Sequence, residues 1–212
     1  IRDSSTSRGL GDVYKRQPIN WRKVNDIVSL AKKILLTTHE NPDGDGLGSE
    51  VALYHHLTET GKDVKIINCS PTPKMYDFIN KGNCIETYDK NTHSEWINNA
   101  DLAIVFDVGD FKRTRSLKNA IEKNNIPVMN IDHHPHPKNN TFNYNIVDTT
   151  SAATGCMVRS YLKEARKHFE KEYLITQLKK NHGNVSKTAD FIGMERSSLH
   201  RKLKELGIKG IN

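Results

Sequence analysis

"KILLTTHENPDGDGLGS" (residues 33–49) runs from six residues of apolar and β-branched character straight into His39, Asp43 and Asp45, with Pro42 and three glycines between and after them. A short apolar run of this kind reads as a buried strand, and the Pro/Gly-rich segment after it reads as a loop. In an extended loop, alternation sends Asp43 and Asp45 to the same side, so both are expected to face one pocket. Three further runs have the same character: "VKIINC" (64–69), "LAIVFDV" (102–108) and "PVMNI" (127–131). Helical patterns lie before and between them. "NWRKVNDIVSLAKK" repeats Trp21, Val24, Ile27, Val28 and Ala31 at helical spacing, and "SEVALYHHLTETG" covers 49–61. Near-continuous apolar strands alternating with helices predict an α/β fold, a parallel sheet with helices on both faces. Ligands of such sheets bind beyond the carboxyl ends of the strands.

Those ends carry the unusual residues. Asp107 closes "IVFD", and Asp132, His133 and His134 close "NIDHH". Imidazoles and carboxylates together suit manganese, iron or zinc better than calcium or a lone magnesium. Two clusters sharing a bridging aspartate would hold two ions roughly 3.5–4 Å apart, an arrangement that activates water and offsets phosphoryl charge.

The pattern H-x-x-P-D-x-D-x-x-G-S, an aspartate-ended strand and then D-H-H resembles the DHH phosphoesterase family, over about residues 20–162. Within it, the nearest type is the bacterial oligoribonucleases that also dephosphorylate phosphoadenosine phosphate. The resemblance implies Mn2+ in a two-ion site, with His39 and Asp43 on one ion and Asp45 and His133 on the other. It also implies that Asp107 bridges them, while Asp132 and His134 are catalytic, orienting ligands and meeting the phosphate. The implied substrates are short oligonucleotides or nucleotide 3'-phosphates. The family carries a further metal-binding aspartate in a later strand, then a substrate-binding domain. Neither pattern follows here, and Asp148, 16 residues after Asp132, is not read as that aspartate. The expectation is an incomplete dimetal site.

The last fifty residues differ. Of a formal net charge of +7, residues 163–212 carry 12 Lys/Arg against 6 Asp/Glu. A basic end on a near-neutral body points to nucleic acid. Three helices are expected, at 163–181, 184–193 and 196–207, with Asn184 as an N-cap and Gly193 closing the second. Leu199, Leu203 and Leu206 mark a buried face, which reads either as a helix-turn-helix or as a solvated basic hairpin. From about Ala165 to Ile208 the sequence is similar to the Fis-type DNA-binding domain of nitrogen-regulation response regulators of the sigma-54 class. That resemblance implies double-stranded DNA as partner through 184–207, a homodimer through helix 163–181, and DNA contacts from Glu195, Arg196, Ser198, His200, Arg201 and Lys202.

The expected division is therefore a leader (1–17) resembling a translated adaptor, a DHH-type domain (18–162) and a Fis-type helix-turn-helix (163–212). The principal reading is sequence-specific DNA binding beside an incomplete phosphoesterase-like domain; the alternative is manganese-dependent phosphoester hydrolysis. "SYLKEARKHFEK" joins the halves without a Gly-, Pro- or Ser-rich spacer, which reads as a chimeric gene product whose join forms one continuous helix. Mean hydropathy is −0.68, and no apolar run approaches the roughly 18 residues of a membrane span. Cys69, Cys84 and Cys156 have no CxxC spacing, and reduced thiols in a cytoplasmic protein are expected.

Overall fold

A computed structural model describes residues 19–137 and 141–208; the expected leader lies outside the described residues. Helix α1 (Trp21–Leu30) starts at Asn20, whose side chain accepts from the Lys23 N–H at 3.1 Å. It buries Val24 and Val28. Then follow β1 (Lys33–Thr37), α2 (Gly44–Glu59), β2 (Asp63–Asn68), β3 (Ile85–Thr87), α3 (Lys90–Asn98), β4 (Leu102–Phe106), α4 (Ser116–Lys123), β5 (Val128–Asp132) and β6 (Tyr144–Val147). Three helices complete the order: α5 (Thr154–Lys180), α6 (Val185–Phe191) and α7 (Arg196–Glu205).

The six strands form one parallel sheet in the order β3-β2-β1-β4-β5-β6. Its two faces explain the continuous apolar runs. Ile34, Leu36, Ile104 and Phe106 face a core shared with α1, α2 and α5, while Leu35, Ala103 and Val105 face a second core with α3 and α4. Every side chain of β4 is therefore buried. The chain builds outward from β1 in one direction and then returns to add β4 on its other side. Loops leaving β1 and β4 consequently diverge, and a crevice opens between them.

Thr38 ties these loops together, its hydroxyl donating to the Phe106 carbonyl at 2.7 Å. Gly46 lies so close that a Cβ there would sit 2.3 Å from Thr38 Oγ1. Gly46→Ala is expected to destabilise the fold by about 1–3 kcal/mol through overpacking. A lowered midpoint in thermal unfolding checks this; an unchanged midpoint would show that Thr38 yields freely.

Helix α5 begins nine residues before the helix expected at 163 and runs unbroken across the boundary placed there. Met157, Val158, Tyr161 and Ala165 pack into the first sheet core, whereas Leu174 and Leu178 join Ala189, Leu199, Leu203 and Leu206 in a separate cluster with α6 and α7. Between Ala165 and Leu174 no residue is buried. No helix among the described residues is long and apolar enough to cross a membrane.

Candidate functional site

His39 follows β1, Asp107 ends β4, and His133 and His134 follow β5, so three neighbouring strands deliver them to the crevice. Asp107 is the centre. Its Oδ2 lies 3.7 Å from His39 Nε2, and its Oδ1 lies 3.5 Å from His133 Nε2 and 3.3 Å from His134 Nδ1. Two groups of ligand atoms lie within 4.8 Å of one another: His39, Asp43 and Asp107, and Asp107, His133 and His134. Asp107 belongs to both. Such a mixed imidazole and carboxylate set fits manganese, iron or zinc.

The loop holding the first two aspartates differs from the extended form expected. Helix α2 already begins at Gly44; Asp43 is its N-cap, Oδ1 accepting from the N–H of Asp45 at 3.0 Å and Gly46 at 3.3 Å. Capping satisfies backbone donors that a helix start would otherwise leave open, so Asp43 and Asp45 do not simply alternate along one strand-like loop. Asp43 stands with His39 and Asp107. Asp45 instead lies 3.6 Å from His133 and accepts the N–H groups of Thr154 and Gly155, each at 2.8 Å. It thereby caps α5, whose own N-cap, Ala153, has no side chain for the task.

Asp132 is fully buried and holds two imidazoles. Its Oδ1 accepts from His134 Nδ1 at 2.9 Å and from the His134 backbone N–H at 3.0 Å, while Oδ2 contacts His136 Nε2 at 2.8 Å. Residues 134 and 136 are thus fixed from beneath. Asp148 takes part in a local turn, its Oδ1 accepting from the Thr150 N–H at 3.0 Å.

Electrostatics favour an ionised centre. Burial pushes the Asp107 carboxyl up, but His39 and the Thr154 hydroxyl at 3.1 Å outweigh it, and its pKa is lowered. Contact with Asp107 raises His39 in turn, against the desolvation of its ring. Asp107 also has φ +60, a left-handed conformation that aspartate and asparagine tolerate better than most side chains.

Sequence reading missed the support around these groups. Asn68 Oδ1 accepts from the Thr38 N–H at 3.0 Å and the Thr37 hydroxyl at 3.2 Å, fixing the segment that leads to His39. Asn68 Nδ2 donates to Glu50 Oε2 at 2.9 Å, and burial pushes the Glu50 carboxyl up to about 8. No periodicity or spacing signals this pair; "SAATG" just before a helix start was the one available cue to Thr154. Because folding raises Glu50 above its ordinary 4.5, the folded state holds its proton more tightly; that contribution is complete below pH 4.5 and is lost as pH rises to about 8. Glu50→Gln should therefore gain stability relative to the parent by a few kcal/mol between those limits. Urea unfolding of both proteins at each limit measures it, and a constant gap would contradict it.

At the other end, the two-helix unit is built as expected around a turn. Asn184 caps α6, accepting from the Lys187 N–H at 3.0 Å, and Gly193 adopts φ +66. Leu199 and Leu203 are buried. Glu195, Arg196, His200 and Arg201 are exposed, and Ser198 and Lys202 are half-buried. Lys202 is paired with Glu170 of α5 at 2.9 Å, whereas Arg196 and Arg201 have no ion-pair partner among the described residues.

Comparison with known proteins matches both parts. The family described as "DHH family, N-terminal domain" matches residues 33–181, and "Bacterial regulatory protein, Fis family" matches 165–206. The nitrogen assimilation regulatory protein NtrX of Azorhizobium caulinodans is 62% identical over 47 residues, 22% of this chain and 10% of that protein. The bifunctional oligoribonuclease and PAP phosphatase NrnA of Mycoplasma genitalium is 29% identical over 122 residues, 57% of this chain and 36% of that protein. An exopolyphosphatase-related protein from Bacteroides fragilis superimposes with a TM-score of 0.64 at 22% identity, over 91% of this chain and 57% of that one. The chain thus spans about a tenth of the regulator and little more than a third of the oligoribonuclease.

Proposed function

The chain belongs to the DHH family, and we propose that it binds double-stranded DNA sequence-specifically through residues 184–207, beside a dimetal site of phosphoesterase type. One observation carries the DNA reading: α7 opens with Arg196 and presents His200 and Arg201 to solvent while Leu199 and Leu203 anchor its other face. A helix so presented enters a major groove, where arginine pairs with guanine edges. Phe169 and Tyr173, exposed and stacked with ring centres 6.3 Å apart on α5, supply an apolar face for a twin helix in a homodimer. Selection of binding sites from random duplexes tests the reading; enrichment of a two-fold symmetric site is expected, and no enrichment would refute it.

The second reading, hydrolysis of phosphoester bonds in short oligonucleotides or nucleotide 3'-phosphates, is favoured by the sharing of Asp107 between two ligand groups. His39 and Asp43 would hold one manganese ion, Asp45 and His133 the other, with Asp107 between them. Bound there, manganese supplies Lewis acidity and an activated water. Asp132 orients His134, whose ring is half-exposed at the opening and meets the substrate phosphate. Asp45 also accepts two backbone N–H groups, one on each oxygen; the reading of the site as incomplete rests on the further metal-binding aspartate that the family's pattern carries in a later strand. Manganese-dependent turnover of a dinucleotide by the purified chain tests this.

The family matches overlap at 165–181, inside α5. Domains meeting at 162–163 share that helix with no flexible spacer, as a chimeric join would. One sequencing read of the source DNA from the codons of Gly155 to Glu172 distinguishes a fusion from two joined fragments.

A further inference from the structure

Three elements bring the residues of the candidate metal site from different parts of the chain. β1 leads to His39, β4 leads to Asp107, and α2 is capped by Asp43 and carries Asp45. A buried polar hub joins these elements, centred on Asn68, the last residue of β2 and fully buried. On one side Asn68 Oδ1 accepts from the Thr38 N–H at 3.0 Å and the Thr37 hydroxyl at 3.2 Å. On the other, Nδ2 donates at 2.9 Å to Glu50 Oε2, and Glu50 belongs to α2. Thr38 in turn donates its hydroxyl to the carbonyl of Phe106, the residue before Asp107. One carboxamide thus links the end of β1 to α2 and, through Thr38, to the end of β4.

The direction of His39 depends on this hub. Its Nδ1 is bonded to the carbonyl of its own neighbour, Glu40, at 2.7 Å. The ring therefore travels with the backbone of 38–40, and that backbone decides where Nε2, 3.7 Å from Asp107 Oδ2, is aimed. The segment is held at Thr38 by Asn68 and Phe106, and at Glu40 by the Arg113 carbonyl. Glu50 is not explained as a stabilising group. It is fully buried, and among the described residues its Oε1 has no hydrogen-bond partner; a buried carboxyl with half its polar atoms unpaired costs stability. Its one bond instead decides which way the Asn68 carboxamide faces. A flipped carboxamide would set its NH2 against the Thr38 N–H, donor against donor.

We infer that Asn68, oriented by Glu50, is a positioning residue of the metal site: it sets the spacing between His39 and the start of α2, where Asp43 stands. The inference rests on the dimetal reading of that site and adds to it two residues outside both ligand groups.

Calorimetric titration of the full chain with manganese tests it, beside thermal unfolding of the same proteins. Asn68→Ala frees the buried Thr38 N–H, and affinity is expected to fall about 10-fold or more, as when a partner that orients a metal ligand is lost. Glu50→Leu fills the space with an apolar side chain and leaves Asn68 Nδ2 unpartnered. It should lose affinity in the same direction without a lower unfolding midpoint. Glu50→Gln keeps an acceptor for Nδ2 and should bind manganese as the parent does. Ile121→Val, in the core on the other face of the sheet, is the control: a lower midpoint with parent affinity is expected. Parent affinity in Glu50→Leu, or in a folded Asn68→Ala, overturns the inference. A loss in Ile121→Val as large as theirs also overturns it, because affinity would then follow stability alone. If the parent binds no manganese, the dimetal reading itself falls and the inference falls with it.

Discussion

Asp107→Asn is expected to abolish manganese-supported phosphoester hydrolysis, with a loss of at least about 100-fold, beyond what altering an outer partner of a metal ligand costs. The asparagine keeps the shape of the side chain and tolerates the left-handed backbone at φ +60. It removes the charge shared by both ligand groups. Asp107→Ala removes the side chain that Thr154, His39, His133 and His134 converge on, and leaves a residue less suited to that backbone. The pair separates chemistry from folding: unchanged far-ultraviolet circular dichroism with lost turnover in Asp107→Asn assigns the loss to charge. Parent-level turnover in Asp107→Asn would remove Asp107 from the centre of the site.

Arg196→Ala with Arg201→Ala is expected to eliminate sequence-specific DNA binding. Each arginine paired bidentately with guanine is worth about 1–3 kcal/mol of discrimination, so the double change returns the protein to nonspecific affinity. Lys202→Ala should cost less, because the Lys202 ammonium is held by Glu170. Fluorescence anisotropy with a selected duplex and a scrambled one, at several salt concentrations, reads both effects. If the double variant keeps its preference for the selected duplex, α7 is not the reading helix. A smaller salt slope with unchanged preference would make the arginines phosphate contacts alone.

Much of the fold was legible because buried parallel strands need unbroken apolar runs, and 33–38, 64–69, 102–108 and 127–131 are such runs. β3 and β6 were not seen. Ile85–Thr87 is three residues long, and Tyr144–Val147 has no fully buried side chain; each is an edge strand whose order comes from pairing with a neighbour. The start of α5 was placed at 163, where charge changes, although "TGCMVRSYL" before it is buried against the sheet on one side.

The sequence by itself determined which residues stand at the carboxyl ends of three strands, and the leucine spacing of α7. Both follow from periodicities set by backbone geometry, 2 residues for a strand and 3.6 for a helix, which need no partner to be read. The tertiary structure alone decided that Asp45 would cap α5 from 109 residues away, that Asp132 would serve two histidines, and that a buried Glu50 would hold Asn68. These are contacts between distant segments, and they gain their strength from burial, which a local pattern does not encode.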